Sequence, residues 1–215
     1  MTTSRLAAFA AIILILITLA GCGSRPTQPA ATSQPAAAPA EQKKEPVLYT
    51  GKQCLSSMQG LALRWQPDAL PFHLESEVTT ETTGQDGKST IWRAFFASLS
   101  RGTMKTFICS GSRLLSNPYG ITSTTESAYA PNVPALIFDP SYFQTDSDKA
   151  YAVTLQHGGS DLVKKDPQQP VVYLLEWEPK QKGLFWYVIY GKNQAERKGI
   201  CVINATTGAF VRAGK

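Results

Sequence analysis

The stretch LFWYVIY, residues 184–190, decides the fold expected for this chain. Every residue in it is aliphatic or aromatic, which predicts a strand that is covered on both faces. A preceding strand is predicted at residues 171–177, and the turn formers at 179–183 separate the two. Further extended segments are expected at 199–204 and 209–211.

A helix is predicted ahead of these strands. Thr145 and Ser147 are candidate N-caps, the helix is expected to run to about His157, and Gly158-Gly159 supplies a C-terminal stop. A further helical turn is expected at 160–165. This part of the chain therefore has the predicted order helix, strand, strand, strand.

The same order is predicted earlier in the chain. Apolar residues near helical spacing predict a helix at 53–65, and strands are expected at 72–78, 90–98 and 104–110. Two pairs of residues fall at matching places in the two series, namely Trp92 with Trp186 in the middle strands and Cys109 with Cys201 in the last ones. The pattern predicts an internal repeat.

The run Trp186 to Tyr190, followed by VINATTGAFV at 202–211, resembles the C-terminal half of a PepSY domain. That family ends in an Asp-x-x-Thr-Gly hairpin, and Asn204 stands here in place of the Asp. The resemblance implies an α+β fold of two tandem α-β-β-β units, at 47–115 and 146–215, each with a helix packed on a small antiparallel sheet. It also implies a non-catalytic role, because the family's extracytoplasmic modules are thought to bind or inhibit proteins.

The connector between the two predicted units, residues 116–145, is rich in proline and aromatic residues. Long loops of this kind are usually functional or disordered, and aromatic residues favour interfaces. The connector is expected to pack across the joint between the units. The alternative is a docking surface, and the solvent exposure of Tyr119 and Tyr129 separates the two cases.

Three cysteines lie in the expected folded part, Cys54, Cys109 and Cys201. One disulfide and one free thiol is the simplest arrangement in an oxidising compartment, and three pairings are open. Cys54 with Cys109 is the most local pairing. No cysteine and histidine spacing resembles a zinc site, so neither a metal nor another cofactor is expected.

The N-terminus has the pattern of a bacterial lipoprotein. Arg5 precedes an apolar run from Leu6 to Ala20, which is typical of a signal peptide and shorter than a membrane span. The run ends in Leu19-Ala20-Gly21-Cys22, which resembles the lipobox of bacterial lipoproteins. The resemblance implies a signal peptide at 1–21, cleavage between Gly21 and Cys22, and a lipid on Cys22 that anchors the protein to a membrane.

The residues that follow predict a disordered tether and the membrane to which the protein is sorted. Residues 22–46 are rich in Pro and Ala and contain no aromatic residue, which is typical of a disordered segment. Gly23 follows the lipidated cysteine, and by resemblance to two-membrane bacteria this favours the outer membrane. From Val47 onward, 17 Lys and Arg against 14 Asp and Glu give a net charge of +3, which is too small and too scattered to indicate nucleic-acid binding.

An enzyme is the weaker hypothesis. His157-Gly158-Gly159-Ser160-Asp161 contains three residue types of a catalytic triad, but the Gly-x-Ser-x-Gly nucleophile elbow is absent and triad residues come from distant segments. His73 lies on a polar strand face and is expected to be exposed to solvent. Glu75, Glu77 and Glu81 are expected to form a charged strip of an edge strand, with a carboxylate pair in a cleft as the alternative.

The sequence as a whole predicts a lipid-anchored, extracytoplasmic, non-catalytic module that binds or regulates an envelope protein. One alternative is a structural or assembly lipoprotein of the envelope, and a weaker one is a small hydrolase that uses Ser160 and His157. No nucleic-acid partner is expected.

Overall fold

The computed structural model describes residues 44–214. The predicted signal peptide, Gly21, Cys22 and nearly all of the predicted tether lie outside these residues.

The described part of the chain contains eleven strands, two α-helical segments and two short 3₁₀ helices at Val133–Ala135 and Pro140–Tyr142. The strands are β1 (Tyr49–Thr50), β2 (Leu70–Ser76), β3 (Lys88–Ser89), β4 (Ile91–Ser98), β5 (Thr103–Ser110), β6 (Gly120–Ser123), β7 (Ser127–Ala128), β8 (Val171–Glu178), β9 (Gly183–Tyr190), β10 (Gly199–Asn204) and β11 (Phe210–Gly214). The helices are α1 (Gly51–Trp65), α2 (Ser147–Thr154) and α3 (Ser160–Lys165), and a π-helical turn (Leu155–Gly159) joins α2 to α3.

Nine of the strands form one antiparallel sheet in the order β11-β10-β9-β8-β2-β4-β5-β6, with β7 also paired to β5. The prediction of two tandem α-β-β-β units is therefore wrong, and the fold is mainly β. The predicted elements exist, but the first strands of the two series, β2 and β8, pair with each other. His73 lies opposite Glu176, and Leu74 lies opposite Leu175. Each series would otherwise leave an open strand edge, and this pairing removes both edges.

The helices also belong to one unit, because their N-termini share a cap. The Asp146 side chain caps α2 by accepting from the Ser147 N–H (2.7 Å), and it also accepts from the Lys52 N–H in the first turn of α1 (2.9 Å). The buried Ser147 hydroxyl accepts from the Gly51 N–H and donates to the Gly87 carbonyl. Asp146 is thus the N-cap, rather than the predicted Thr145 or Ser147.

Both helical segments cover the same face of the sheet, and the main core lies between them and the strands. Its largest fully buried side chains include Trp92, Trp186, Tyr173 and Tyr190. The two indole rings meet at 6.1 Å between centroids. Because large aromatic residues of both series meet in this core, neither series could bury its apolar face alone.

The opposite face of the sheet carries two separate apolar clusters. One is centred on Phe185, Tyr187 and Ile189 of β9, and the other on Phe72 and Ala97, where Val133 of the connector packs against them. Charged residues of the two central strands, β2 and β8, lie between the clusters. This face is called the open face below, because none of the α-helices α1, α2 and α3 covers it.

A disulfide joins Cys54 of α1 to Cys109 of β5, and Cys201 of β10 is a buried free thiol. Burial raises the pKa of the Cys201 thiol.

Candidate functional site

A cavity of about 330 Å³ opens on the open face, at the edge where β2 begins and β8 ends. It is called the open-face pocket. Its walls are mainly apolar and its charged groups come from β2 and β8. The lining residues are Phe72, His73, Phe95, Leu136, Glu176, Trp177, Glu178 and Pro179. The volume lies at the lower end of the range for small-molecule sites, and it suits a single side chain or a small ligand.

His73 lies between two carboxylates in the floor of this pocket. Its Nδ1 is 2.9 Å from Oε1 of Glu176 on β8, and its Nε2 is 3.2 Å from Oε2 of Glu75 on β2. The ring packs edge-on against Phe95 at 5.1 Å between centroids. Only 21% of the side chain is exposed, so the prediction of a solvent-exposed histidine is wrong. Pairing of β2 with β8 brought the second carboxylate to it.

The surroundings of His73 favour its charged form. Burial lowers the pKa of His73, but the hydrogen bonds to Glu176 and Glu75 outweigh it and raise the pKa from 6.5 to about 9. The hydrogen bond to His73 in turn lowers the pKa of Glu75. At neutral pH the three residues therefore form a charged triad of one imidazolium and two carboxylates.

Glu178 adds a further carboxylate to the pocket. Its Oε1 accepts a short hydrogen bond from the Tyr187 hydroxyl, and burial together with this bond raises the pKa of Tyr187. Among the residues that line the pocket, Glu176 and Glu178 against His73 leave one excess negative charge (two minus one). An aromatic wall beside a net negative charge is the combination that attracts organic cations.

The strip of glutamates predicted from β2 is not an edge feature. β2 lies between β4 and β8 in the middle of the sheet, and its charges are tolerated because each one is paired. Glu77 pairs with Arg93 on β4. Glu81 lies beyond β2, where its Oε1 accepts from the Arg113 N–H at 2.7 Å.

The residues of the hydrolase hypothesis lie on the other side of the sheet. The His157 ring stacks on Phe210 with 3.8 Å between centroids, and the Ser160 hydroxyl donates to the Leu155 carbonyl at 2.7 Å. Each side chain is thus engaged with a residue other than its proposed partner.

The predicted connector is partly built into the fold. It supplies β6 and β7 to the sheet edge, and its Phe138 and Phe143 are buried in the main core. Tyr129 is half-buried against the cluster around Phe72, whereas Tyr119 is exposed. Burial of Tyr129 therefore agrees with a connector that packs on the fold, whereas exposure of Tyr119 agrees with the docking alternative.

Glu176, Trp177 and Glu178 were missed as site residues by sequence reasoning. For Glu176 and Glu178 the signal was present in the alternation along β8, which sends Val172, Leu174 and Glu176 to the open face and Tyr173, Leu175 and Trp177 toward the core. Because most residues of β8 are apolar, the sequence did not show which of them face the open side of the sheet. Among residues 44–214, no group of three or more His, Cys, Asp or Glu side chains is arranged to hold a metal ion.

The sequence matches no family model, and no curated protein matches it. The fold aligns with the crystal structure of a protein from Clostridium difficile 630 that is provisionally described as a lipoprotein, over 81% of this chain and 95% of that chain. The identity is 10% and the TM-score is 0.49. A likeness of this size transfers no function, so the function is argued from the residues of the chain itself. Within residues 44–214, no helix has the length and apolar character needed to cross a membrane.

Proposed function

We propose that this chain is a lipid-anchored extracytoplasmic lipoprotein whose folded domain is a non-catalytic binding module. The anchor rests on the sequence Leu19-Ala20-Gly21-Cys22. Two or three acyl chains at Cys22 give stable attachment, because each buried methylene contributes about 0.8 kcal/mol. Gly23 favours the outer membrane in a bacterium with two membranes.

The anchor is tested by Cys22→Ala in the full chain. This variant removes the only thiol at the predicted cleavage point, and we expect the protein to remain uncleaved or to leave the membrane fraction. Fractionation with mass analysis of the N-terminus is the measurement, and Cys201→Ala is the control. Normal processing and lipid labelling of Cys22→Ala would disprove the anchor.

The binding function rests on the open-face pocket, where Phe72 and Phe95 stand beside Glu176 and Glu178. We infer that this pocket binds a basic side chain of a protein partner. Such a side chain has an apolar stem that fits the aromatic wall and a cationic head that meets the carboxylates. Stacking and charge together explain why carboxylates are gathered beside aromatic rings on an otherwise apolar face.

The binding proposal is tested with blocked arginine amide and its neutral isostere, blocked citrulline amide. The backbone N–H signal of Trp177, a residue that lines the pocket, reports on binding in an NMR spectrum of the mature protein. We expect a saturable shift with the arginine amide and a much smaller one with the citrulline amide. Replacing both carboxylates, with Glu176→Gln and Glu178→Gln, should weaken the affinity about fivefold to tenfold, as expected for two partly exposed charge pairs.

Asp161→Asn is the matched control for charge. Asp161 is 76% exposed on α3, on the other side of the sheet, so this variant should keep the affinity of the parent protein. Equal shifts with both amides, or equal losses in the control and the double variant, would disprove a cation-binding pocket.

A further inference from the structure

The loop after β5 exposes an apolar pair beside the point where the chain enters the fold. Leu115 is fully exposed, Leu114 is partly exposed, and Tyr119 nearby has 53% of its surface in solvent. Isolated exposed leucines are common. This pair lies in one hollow of about 770 Å³ together with Lys44, the first residue that the structure describes.

Several contacts hold this loop against the incoming chain. The Val47 N–H donates to the Gly111 carbonyl at 2.9 Å, and Nε of Arg113 donates to the Glu45 carbonyl at 3.1 Å. The Arg113 guanidinium also lies over the Tyr119 ring, 4.1 Å from its centroid. These contacts hold the loop that carries the two leucines next to residues 44–47.

The position of the anchor in the sequence indicates what covers these leucines. Only 22 positions (44 minus 22) separate Cys22 from Lys44. A lipid on Cys22 would keep the bilayer within reach of this end of the domain and would raise its local concentration there. Burying the two leucines in the acyl region is favourable, because it removes their apolar surface from water.

We propose that the loop of Leu114 and Leu115 is a membrane-contact surface that sets this end of the domain against the bilayer carrying the anchor. Leu114 and Leu115 enter the acyl boundary, while Tyr119 and Arg113 lie at the headgroup level that such side chains favour. This inference rests on the proposed lipid anchor. It would orient the domain, because the loop lies at one end of β5 and the β4–β5 turn lies at the other.

The test uses the full lipidated protein in vesicles of phosphatidylethanolamine and phosphatidylglycerol, with and without brominated acyl chains. Leu115→Trp places a reporter at the proposed contact. Leu99→Trp is the matched control, because Leu99 is 53% exposed in the turn before β5, about 26 Å away along the strand. After subtraction of the parent emission, we expect brominated lipid to quench the added emission in Leu115→Trp and to leave that of Leu99→Trp unchanged.

Flotation of the vesicles reports on the anchor independently. Protein that floats with the vesicles but shows no quenching, or equal quenching at both positions, would overturn the contact surface and leave the anchor intact. Protein that does not float would overturn the anchor and this inference together. A concentration-dependent blue shift of Leu115→Trp without vesicles would assign the surface to a second copy of the chain and would also overturn it.

Discussion

The sheet has two halves, a first one with β2 and β4–β7 and a second one with β8–β11. Both halves place their central tryptophans in the same way. Nε1 of Trp92 donates to the Tyr49 carbonyl, and Nε1 of Trp186 donates to the Thr145 carbonyl, both at 2.8 Å. Each acceptor is the residue just before the N-cap of the helix in its own half. In both halves, therefore, a buried indole of the middle strand fixes the point at which the helix begins.

The halves differ in how the rest of the helix is held. Helix α1 continues for 15 residues from a capping box formed by Thr50 and Gln53, and its Cys54 is bonded covalently to β5. Helix α2 ends after eight residues in the π-helical turn, and its Thr154 meets the Tyr190 hydroxyl at 2.5 Å. The first half thus relies on a covalent bond where the second relies on packing and a buried hydrogen bond.

Among the variants that test stability, removal of the disulfide is expected to lower the free energy of unfolding most, because the first half depends on this bond. Cys54→Ala with Cys109→Ala should lower the free energy of unfolding by about 2–4 kcal/mol, because the bond closes a loop with a sequence separation of 55. Chemical denaturation of the mature protein measures the change. Hydrogen exchange should show the loss of protection mainly in α1 and β5.

Cys201→Ala is the matched control in the second half, since it removes a buried sulfur that is not part of the disulfide. We expect it to cost about 1 kcal/mol or less. Similar losses in the control and the double variant would show that the sulfur atoms matter for packing rather than for cross-linking, and the contrast between the halves would then disappear.

Local elements were predictable because each depends on neighbouring residues. The helix expected at 53–65 is Gly51–Trp65, and the strand expected at 184–190 is Gly183–Tyr190. The match of Trp92 with Trp186 also came from local pattern. The match of Cys109 with Cys201 is displaced, because Cys109 lies opposite Trp92, whereas Ile203 lies opposite Trp186. Only the strand register shows this difference.

The pairing of the halves and the open-face pocket were not predictable in the same way. β2 and β8 lie about 100 positions apart, and the charges along β2 are equally typical of an edge strand. Alternation placed His73 and Glu75 on one face, but Glu176 reaches them only through the β2–β8 register. A site that spans two distant strands is thus determined by tertiary pairing, which local periodicity does not report.

A smaller loss of stability is expected from replacing His73, which pairs with Glu176 where the two halves meet. We expect His73→Gln to lower the free energy of unfolding by about 1–2 kcal/mol at pH 5–6.5, less than the disulfide, because Glu176 keeps 36% of its side chain in solvent. The measurement is the difference in unfolding free energy between the parent protein and this variant from pH 5 to pH 10. His157→Gln, which changes the exposed histidine stacked on Phe210, is the control.

The direction of the pH dependence follows from the shifted pKa. The folded pKa of His73 is raised to about 9 from 6.5, so its contribution is complete below pH 6.5 and is lost as the pH rises through 9. The lowered pKa of Glu75 acts in the opposite sense, since its contribution is present above its usual value of 4.5 and is lost as the pH falls through the lowered pKa. The difference between parent and variant should therefore be largest at pH 5–6.5 and should shrink toward pH 9. A destabilisation that stays constant with pH would mean that His73 stabilises the fold by packing on Phe95 of its own half, and that its charge contributes nothing to the junction between the halves.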